Sequence, residues 1–133
     1  MLQGLTPLQF EEVSRKAFNK SQGTNSRKYK ASVRGKKHEF DLYQDGVIAG
    51  GISTSPWLNK TGTNNSGGQD RVTTELLWLH LCTSVKRKIL ILKHQNMADG
   101  IYNRLGESNF FNPPIEIWLY SEKDDTIKHY KDL

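Results

Sequence analysis

From Lys36 to Pro56 the chain reads KKHEFDLYQDGVIAGGISTSP, and this stretch limits the possible folds more than any other. It predicts a β-hairpin with Asp41 in the middle of the first strand. Over Lys37–Tyr43 the alternation puts Phe40 and Leu42 on one face, and Glu39, Asp41 and Tyr43 on the other. Gln44-Asp45-Gly46 can close a three-residue turn with Gly46 in the left-handed position, pairing Tyr43 with Val47. That register sets Asp41, Ala49, Gly51 and Ser53 on one face. A two-residue turn would bring Gly50 and Ile52 there instead, and both registers fit the sequence.

The elements around the hairpin follow from spacing and punctuation. Thr6-Pro7-Leu8-Gln9 is a helix start, with Thr6 as cap, Pro7 at the first helical position and Gln9 completing a capping box. Phe10, Val13, Ala17 and Phe18 recur at helical spacing, which predicts a helix to about Lys20. Arg27–Val33 alternates imperfectly, as a strand ended by Gly35. Ser55–Gln69 (SPWLNKTGTNNSGGQ) has no periodicity, and so long a loop in a compact chain is more often functional than merely connecting. A helix over Arg71–Thr83 carries Val72, Leu76, Leu77, Leu79 and Leu81 around much of its circumference, so it is buried on more than one side. Lys88–Lys93 is apolar without alternation, the pattern of a central parallel strand. A short helix, Asn96–Leu105, stops at Gly106, and Ile115–Tyr120 and Thr126–Tyr130 form a last strand pair. The expected class is therefore α/β, an antiparallel meander feeding a parallel crossover, in a single domain over residues 1–133.

Composition narrows the classes of function. The 133 residues carry a net charge of +5, with basic clusters at Arg27, Lys28, Lys30, Arg34, Lys36 and Lys37 and again at Lys86, Arg87 and Lys88. Such a bias leans toward a polyanionic partner. No apolar run approaches the roughly 20 residues of a membrane span, so no membrane partner is expected. The N-terminal MLQGLTPLQFEE lacks the basic and apolar regions of a signal peptide. One cysteine, Cys82, in an apolar segment fits a buried thiol and a reducing, cytoplasmic compartment. The histidines 38, 80, 94 and 129 show no metal-ligand spacing, and with one cysteine a structural zinc site is not expected. No serine stands in a nucleophile-elbow context.

With Phe10-Glu11 in the first helix and Glu39-Phe40-Asp41 before the hairpin, the order of elements resembles the PD-(D/E)xK nuclease superfamily. That group includes restriction endonucleases and archaeal Holliday junction resolvases, and the resemblance spans Thr6–Tyr120. It implies a restriction-endonuclease-like mixed sheet, an α-β-β-β-α-β core flanked by helices. It also implies a metal-dependent endonuclease that hydrolyses phosphodiester bonds, in DNA, with Mg2+ as the divalent cation. Asp41 matches the first acid of the family motif. Gly51 stands where Glu is expected, and Ser53 where the catalytic lysine is expected. Glu11 matches an auxiliary acid on the first helix. Taking Phe10 as the core direction, Glu11 lies about 100° and Glu12 about 200° around the helix, so Glu12 points to solvent.

Some members of the family carry the second acid on the helix after the hairpin, which nominates Glu75 as the partner of Asp41 in holding the cation. The competing assignment for Glu75 is a surface ion pair with Arg71 one turn earlier. Lys60 in the loop and Lys93 at the end of the central strand are both candidates for the lysine. In the loop and just after it, Asn64, Asn65, Gln69 and Arg71 offer amides and a guanidinium that can read bases or grip phosphates, and Arg27 and Lys28 extend the basic surface. Trp57 can stack on a base or cover the core edge. The loss of Glu and Lys at Gly51 and Ser53 keeps two other functions in view, a non-catalytic nucleic-acid-binding module and a protein-interaction subunit. A homodimer would suit cleavage of both strands.

Overall fold

The computed structural model describes residues 4–133. It is an α/β fold with one six-stranded mixed sheet and three helices among the described residues. The order is α1 (Pro7–Gln22), β1 (Arg27–Val33), β2 (Lys36–Gln44), β3 (Ile48–Ser53), α2 (Ser66–Leu81), β4 (Arg87–Leu92), α3 (Gln95–Leu105), β5 (Ile115–Ser121) and β6 (Thr126–Asp132). The strands lie in the sheet in chain order. β3, β4 and β5 are mutually parallel neighbours, and the other pairings are antiparallel. β4, with its apolar run Ile89–Leu92, is thus the doubly flanked parallel strand its sequence predicts.

Each face of the sheet is covered by helices. On one face α1 packs Phe10 and Phe18 over Leu42, Ile48, Ile89, Ile91, Trp118 and Tyr120, all buried. On the other, α2 and α3 bury Val72, Leu76, Leu79, Met97 and Ile101 against Phe40, Ala49, Leu90 and Ile117. α1 starts where the sequence says it should: Thr6 Oγ1 accepts from Gln9 N at 3.2 Å and Gln9 Oε1 accepts from Thr6 N at 3.0 Å. It ends at Gly23, whose φ of 66° suits a residue without a side chain. No helix among the described residues is long and apolar enough to cross a membrane.

Three local expectations change. First, the turn closes one residue later than expected, on Asp45-Gly46-Val47, so Tyr43 pairs with Ala49 rather than Val47. This two-residue difference preserves the parity, and Ala49 and Gly51 still face α2. Second, Phe40 and Leu42 lie on opposite faces, one under α2 and the other under α1. The cause is a β-bulge. Arg27 pairs with Tyr43 but Tyr29 with Phe40, so Asp41 and Leu42 together stand opposite Lys28. Third, α2 begins at Ser66 rather than Arg71, because Asn65 caps it: its side chain accepts from Gly68 N at 3.3 Å. A Cβ on Gly68 would come within 2.4 Å of Asn65 Nδ2, so only glycine allows that cap to fold over the first turn.

Candidate active site

The sheet opens at Asp41. The β2–β3 ladder runs from the turn only as far as Leu42–Gly50. Beyond it, β2 continues to Lys36 paired with β1 alone, while Gly51, Ile52 and Ser53 continue beside β4. The bulge re-aims Asp41 into this fork, where its Oδ2 accepts a hydrogen bond from Ile52 N at 2.9 Å. Arg15 of α1 donates to the Asp41 carbonyl at 3.0 Å and fixes the backbone there.

Glu75 reaches the same fork from the opposite side. Val72, Glu75, Leu76 and Leu79 share the sheet-facing stripe of α2, with the three apolar members buried. Gly51 makes room for the carboxylate: a Cβ there would lie 2.4 Å from Glu75 Cγ and 3.0 Å from Oε1. The Glu75 side chain therefore occupies the space a side chain at position 51 would take. Its hydrogen-bond partner is His38 on β2, with Nε2 and Oε2 2.9 Å apart. His38 is itself held between rings, stacked on Trp78 at 4.5 Å and edge-on to Phe40 at 4.7 Å. The expected Arg71 pair is not formed; Arg71 donates to Ser55 Oγ at 3.3 Å instead. Ile52, Ser53, Arg71 and Glu75 line a cleft of about 360 Å³.

The electrostatics of the fork are unbalanced. Burial pushes the Asp41 carboxyl up to about 7, with the Ile52 amide opposing and the Glu11 and Glu75 carboxylates adding to the rise. Burial also pushes Glu75 up to about 7. Burial lowers the His38 pKa, with the Glu39 carboxylate opposing, so the imidazole is a poor source of counter-charge. The contact is a hydrogen bond at 2.9 Å whichever of the two groups carries the proton. Glu11, near Asp41 on the α1 side, is bonded to Lys28 of β1 at 3.2 Å. That bond is the main reason the Lys28 ammonium is held above its ordinary value, with Asp41 contributing. Glu12 is exposed, as its helical angle predicts.

The candidate residues named from the sequence thus fall into two groups. Asp41, Glu75, Glu11 and Lys28 converge on the fork, and Ser53 lies at its mouth, where its Oγ accepts from Ser55 N at 3.1 Å. Arg71 lines the same cleft, and the others lie outside it. Lys60 is exposed in the loop, and Lys93 is bound to Glu122 at 3.0 Å. Asn65 caps α2 and donates to Pro56 O at 2.8 Å, and buried Gln69 donates to Trp57 O at 2.8 Å and to Asn64 Oδ1 at 3.2 Å. These amides hold the loop together. Trp57 covers the core edge, where a Cβ on Gly100 would lie 2.3 Å from its ring. Arg27 is exposed and lies over the Tyr29 ring at 5.1 Å. His38 was not nominated from the sequence, because a search for metal-ligand spacing does not find a histidine that meets a carboxylate on another element.

Comparison with protein-family models, with curated proteins and with solved structures finds no significant match. The assignment of function therefore rests on the geometry of the fork and on the residues that fill it.

Proposed function

We propose that the protein is a metal-dependent endonuclease that hydrolyses phosphodiester bonds in DNA, and that its fold is of the restriction-endonuclease type. One observation carries the reading: the Glu75 carboxylate fills the space above Gly51, beside Asp41. The second acid of a nuclease pair is then supplied from α2, and the absence of Glu at position 51 ceases to be a defect. Gly51 becomes a requirement of the arrangement, since any side chain there would displace Glu75.

The donor set suits a hard cation. Two half-buried carboxyl groups have a backbone amide and the His38 imidazole as hydrogen-bond partners and the Glu11 carboxylate nearby, so their ionisation is opposed until positive charge arrives. Magnesium is commonly held by one or two carboxylates, with water and substrate phosphate completing its shell. Among the described residues no group of three or more His, Cys, Asp or Glu side chains is arranged to hold a metal, so Asp41 and Glu75 would hold a cation only together with water and substrate phosphate. The chemistry a divalent ion supplies there is activation of water and neutralisation of charge on the phosphate.

The remaining roles belong to the chain itself. Asp41 is aimed by the bulge and by Ile52 N, and its strand is held by Arg15. His38 fixes the Glu75 carboxylate, donating from Nε2 when Glu75 is ionised, and is a positioning residue. Lys28, opposite Asp41 across the bulge, brings positive charge where a phosphate would lie. In the hydrolysis, water forms a new bond to phosphorus and the bond to the leaving alcohol breaks. The leaving oxygen takes up a proton, so that a phosphomonoester and a free hydroxyl result.

Plasmid DNA incubated with the protein and Mg2+ should be nicked or cut, with the activity lost in Asp41→Ala and in Glu75→Gln and abolished by EDTA. Undiminished cleavage by either variant would refute the assignment. A second reading, a nuclease-fold module that binds without cutting, draws on Ser53 where a lysine is expected. Salt-sensitive DNA binding without Mg2+-dependent cleavage would favour it.

A further inference from the structure

The β1–β2 hairpin extends past the fork as an arm, and its composition is one-sided. Residues 27–38 contain six Lys or Arg and no Asp or Glu. Lys28 is bound to Glu11 at the base. Lys30, Arg34, Lys36 and Lys37 are exposed and make no ion pair among the described residues. Such uncompensated charge on an ordered element is repulsive on its own and favours a polyanion.

The topology fixes where this charge points. β3 and β4 are parallel and end at Ser53 and Leu92. β2 is antiparallel to β3, so its first residue, Lys36, lies at that same end. The arm tip at Arg34–Lys37, the Asp41 fork and the loop over 54–65 therefore share one end of the sheet, with the fork between the other two. One face of the arm packs toward α2 through Ala31, Val33 and Phe40, all buried. On its other face Lys30 pairs with Glu39 and Ser32 with Lys37, and these four side chains are exposed.

We propose that this bare face and the arm tip hold B-form duplex DNA by its phosphates, with the loop over 54–65 on the far side, so that a phosphodiester lies over the fork. Three features favour this occupant over other nucleic acids. The bare face carries Lys30 and Lys37 against one acid, Glu39, and no aromatic platform, and single strands are generally held by stacking on such platforms. Two strands about 4.8 Å apart with their side chains make a ribbon that matches the roughly 12 Å major groove of B-DNA. The major groove of an RNA duplex is too narrow for side chains to enter. The inference rests on the proposal of a nucleic-acid substrate but not on the cation chemistry, so binding and cleavage test them separately.

The test is equilibrium binding in EDTA, by fluorescence anisotropy, to a labelled 20-base-pair DNA of arbitrary sequence across a series of salt concentrations. Lys30→Ala/Arg34→Ala/Lys37→Ala should bind roughly 10- to 100-fold more weakly at moderate salt, with the slope of log K against log salt shallower by about three. A control, Lys20→Ala/Lys86→Ala, removes equal charge per site at the opposite end of the sheet and should leave the slope unchanged. Thermal melts of the variants separate lost contacts from lost folding. An unchanged slope in the triple variant would overturn the proposal, as would equal affinity for the same-sequence single strand or for duplex RNA. Cleavage failing while this binding pattern holds would refute the nuclease reading and leave the arm intact.

Discussion

Glu75 and Glu122 are carboxylates of similar exposure in opposite electrostatic situations. Their side chains retain 17% and 20% of their accessible surface. Glu122 stands at the rim of the sheet, and its pairing with the Lys93 ammonium 3.0 Å away is the chief reason its pKa lies below the ordinary range. Glu75 lies deeper, between α2 and the sheet, beside the His38 imidazole and a second carboxyl, and burial raises it to about 7. One acid comes with its counter-charge built in, and the other does not. Folds routinely pair or neutralise their buried acids, so two acids with no cation in direct contact, and only Lys28 nearby on Glu11, mark a place that positive charge from outside would complete.

The comparison breaks most visibly in activity. Glu75→Gln keeps the shape but removes the charge, and should lower Mg2+-dependent cleavage at least about 100-fold. Glu122→Gln should change it less than about twofold. Equal losses in both variants would mean that the two acids are not distinguished by function.

The next largest effect is on stability, with opposite signs at the two sites. Asp41 and Glu75 bind protons in the folded state up to about pH 7 that the unfolded chain releases near pH 4. The stability they allow is therefore full at low pH and falls as pH rises from about 4 through 7. Metal-free protein should be less stable at pH 8 than at pH 5. At pH 8 Asp41→Asn or Glu75→Gln should stabilise it by on the order of 2 kcal/mol. Glu122→Gln, which breaks a formed pair, should instead destabilise it by about 1 kcal/mol. Urea denaturation at the two pH values gives both numbers, and Mg2+ at about 100 times its Kd should return about 2.7 kcal/mol to wild type alone.

The smaller tests concern the parts that aim Glu75. His38→Ala should raise the Mg2+ concentration needed for half-maximal cleavage about 10-fold, with partial rescue by His38→Gln. A change in melting temperature with no change in metal requirement would reduce His38 to a packing residue. Gly51→Ala should cost about 1–3 kcal/mol and shift the same metal requirement, because Glu75 must move away from the new methyl group.

Much of this was legible in the sequence, and the boundary has physical causes. Capping residues, helical periodicity and the unbroken apolar run of β4 announced the order of elements, because each reports local geometry. Asp41 and Glu75 were nominated through the resemblance, as a first acid in the hairpin and a second acid on the following helix, and the fold brings both to one fork. The bulge that aims Asp41 could not be read, because an alternating pattern carries no mark of an extra residue opposite Lys28. The hydrogen bond between His38 and Glu75 was hidden for a related reason: it joins residues 37 apart through the register of two elements. Asn65 and Gln69 looked like base-reading amides, since a sequence does not distinguish amides that face solvent from amides spent on pinning their own loop.

The most direct test of the central claim is a crystal soaked with Mn2+ in place of Mg2+ and measured at the manganese absorption edge. The account predicts one anomalous peak in the fork, within ligand distance of both Asp41 and Glu75 and lost in Glu75→Gln. A peak held by Asp41 without Glu75, or no peak in the fork at all, would contradict it.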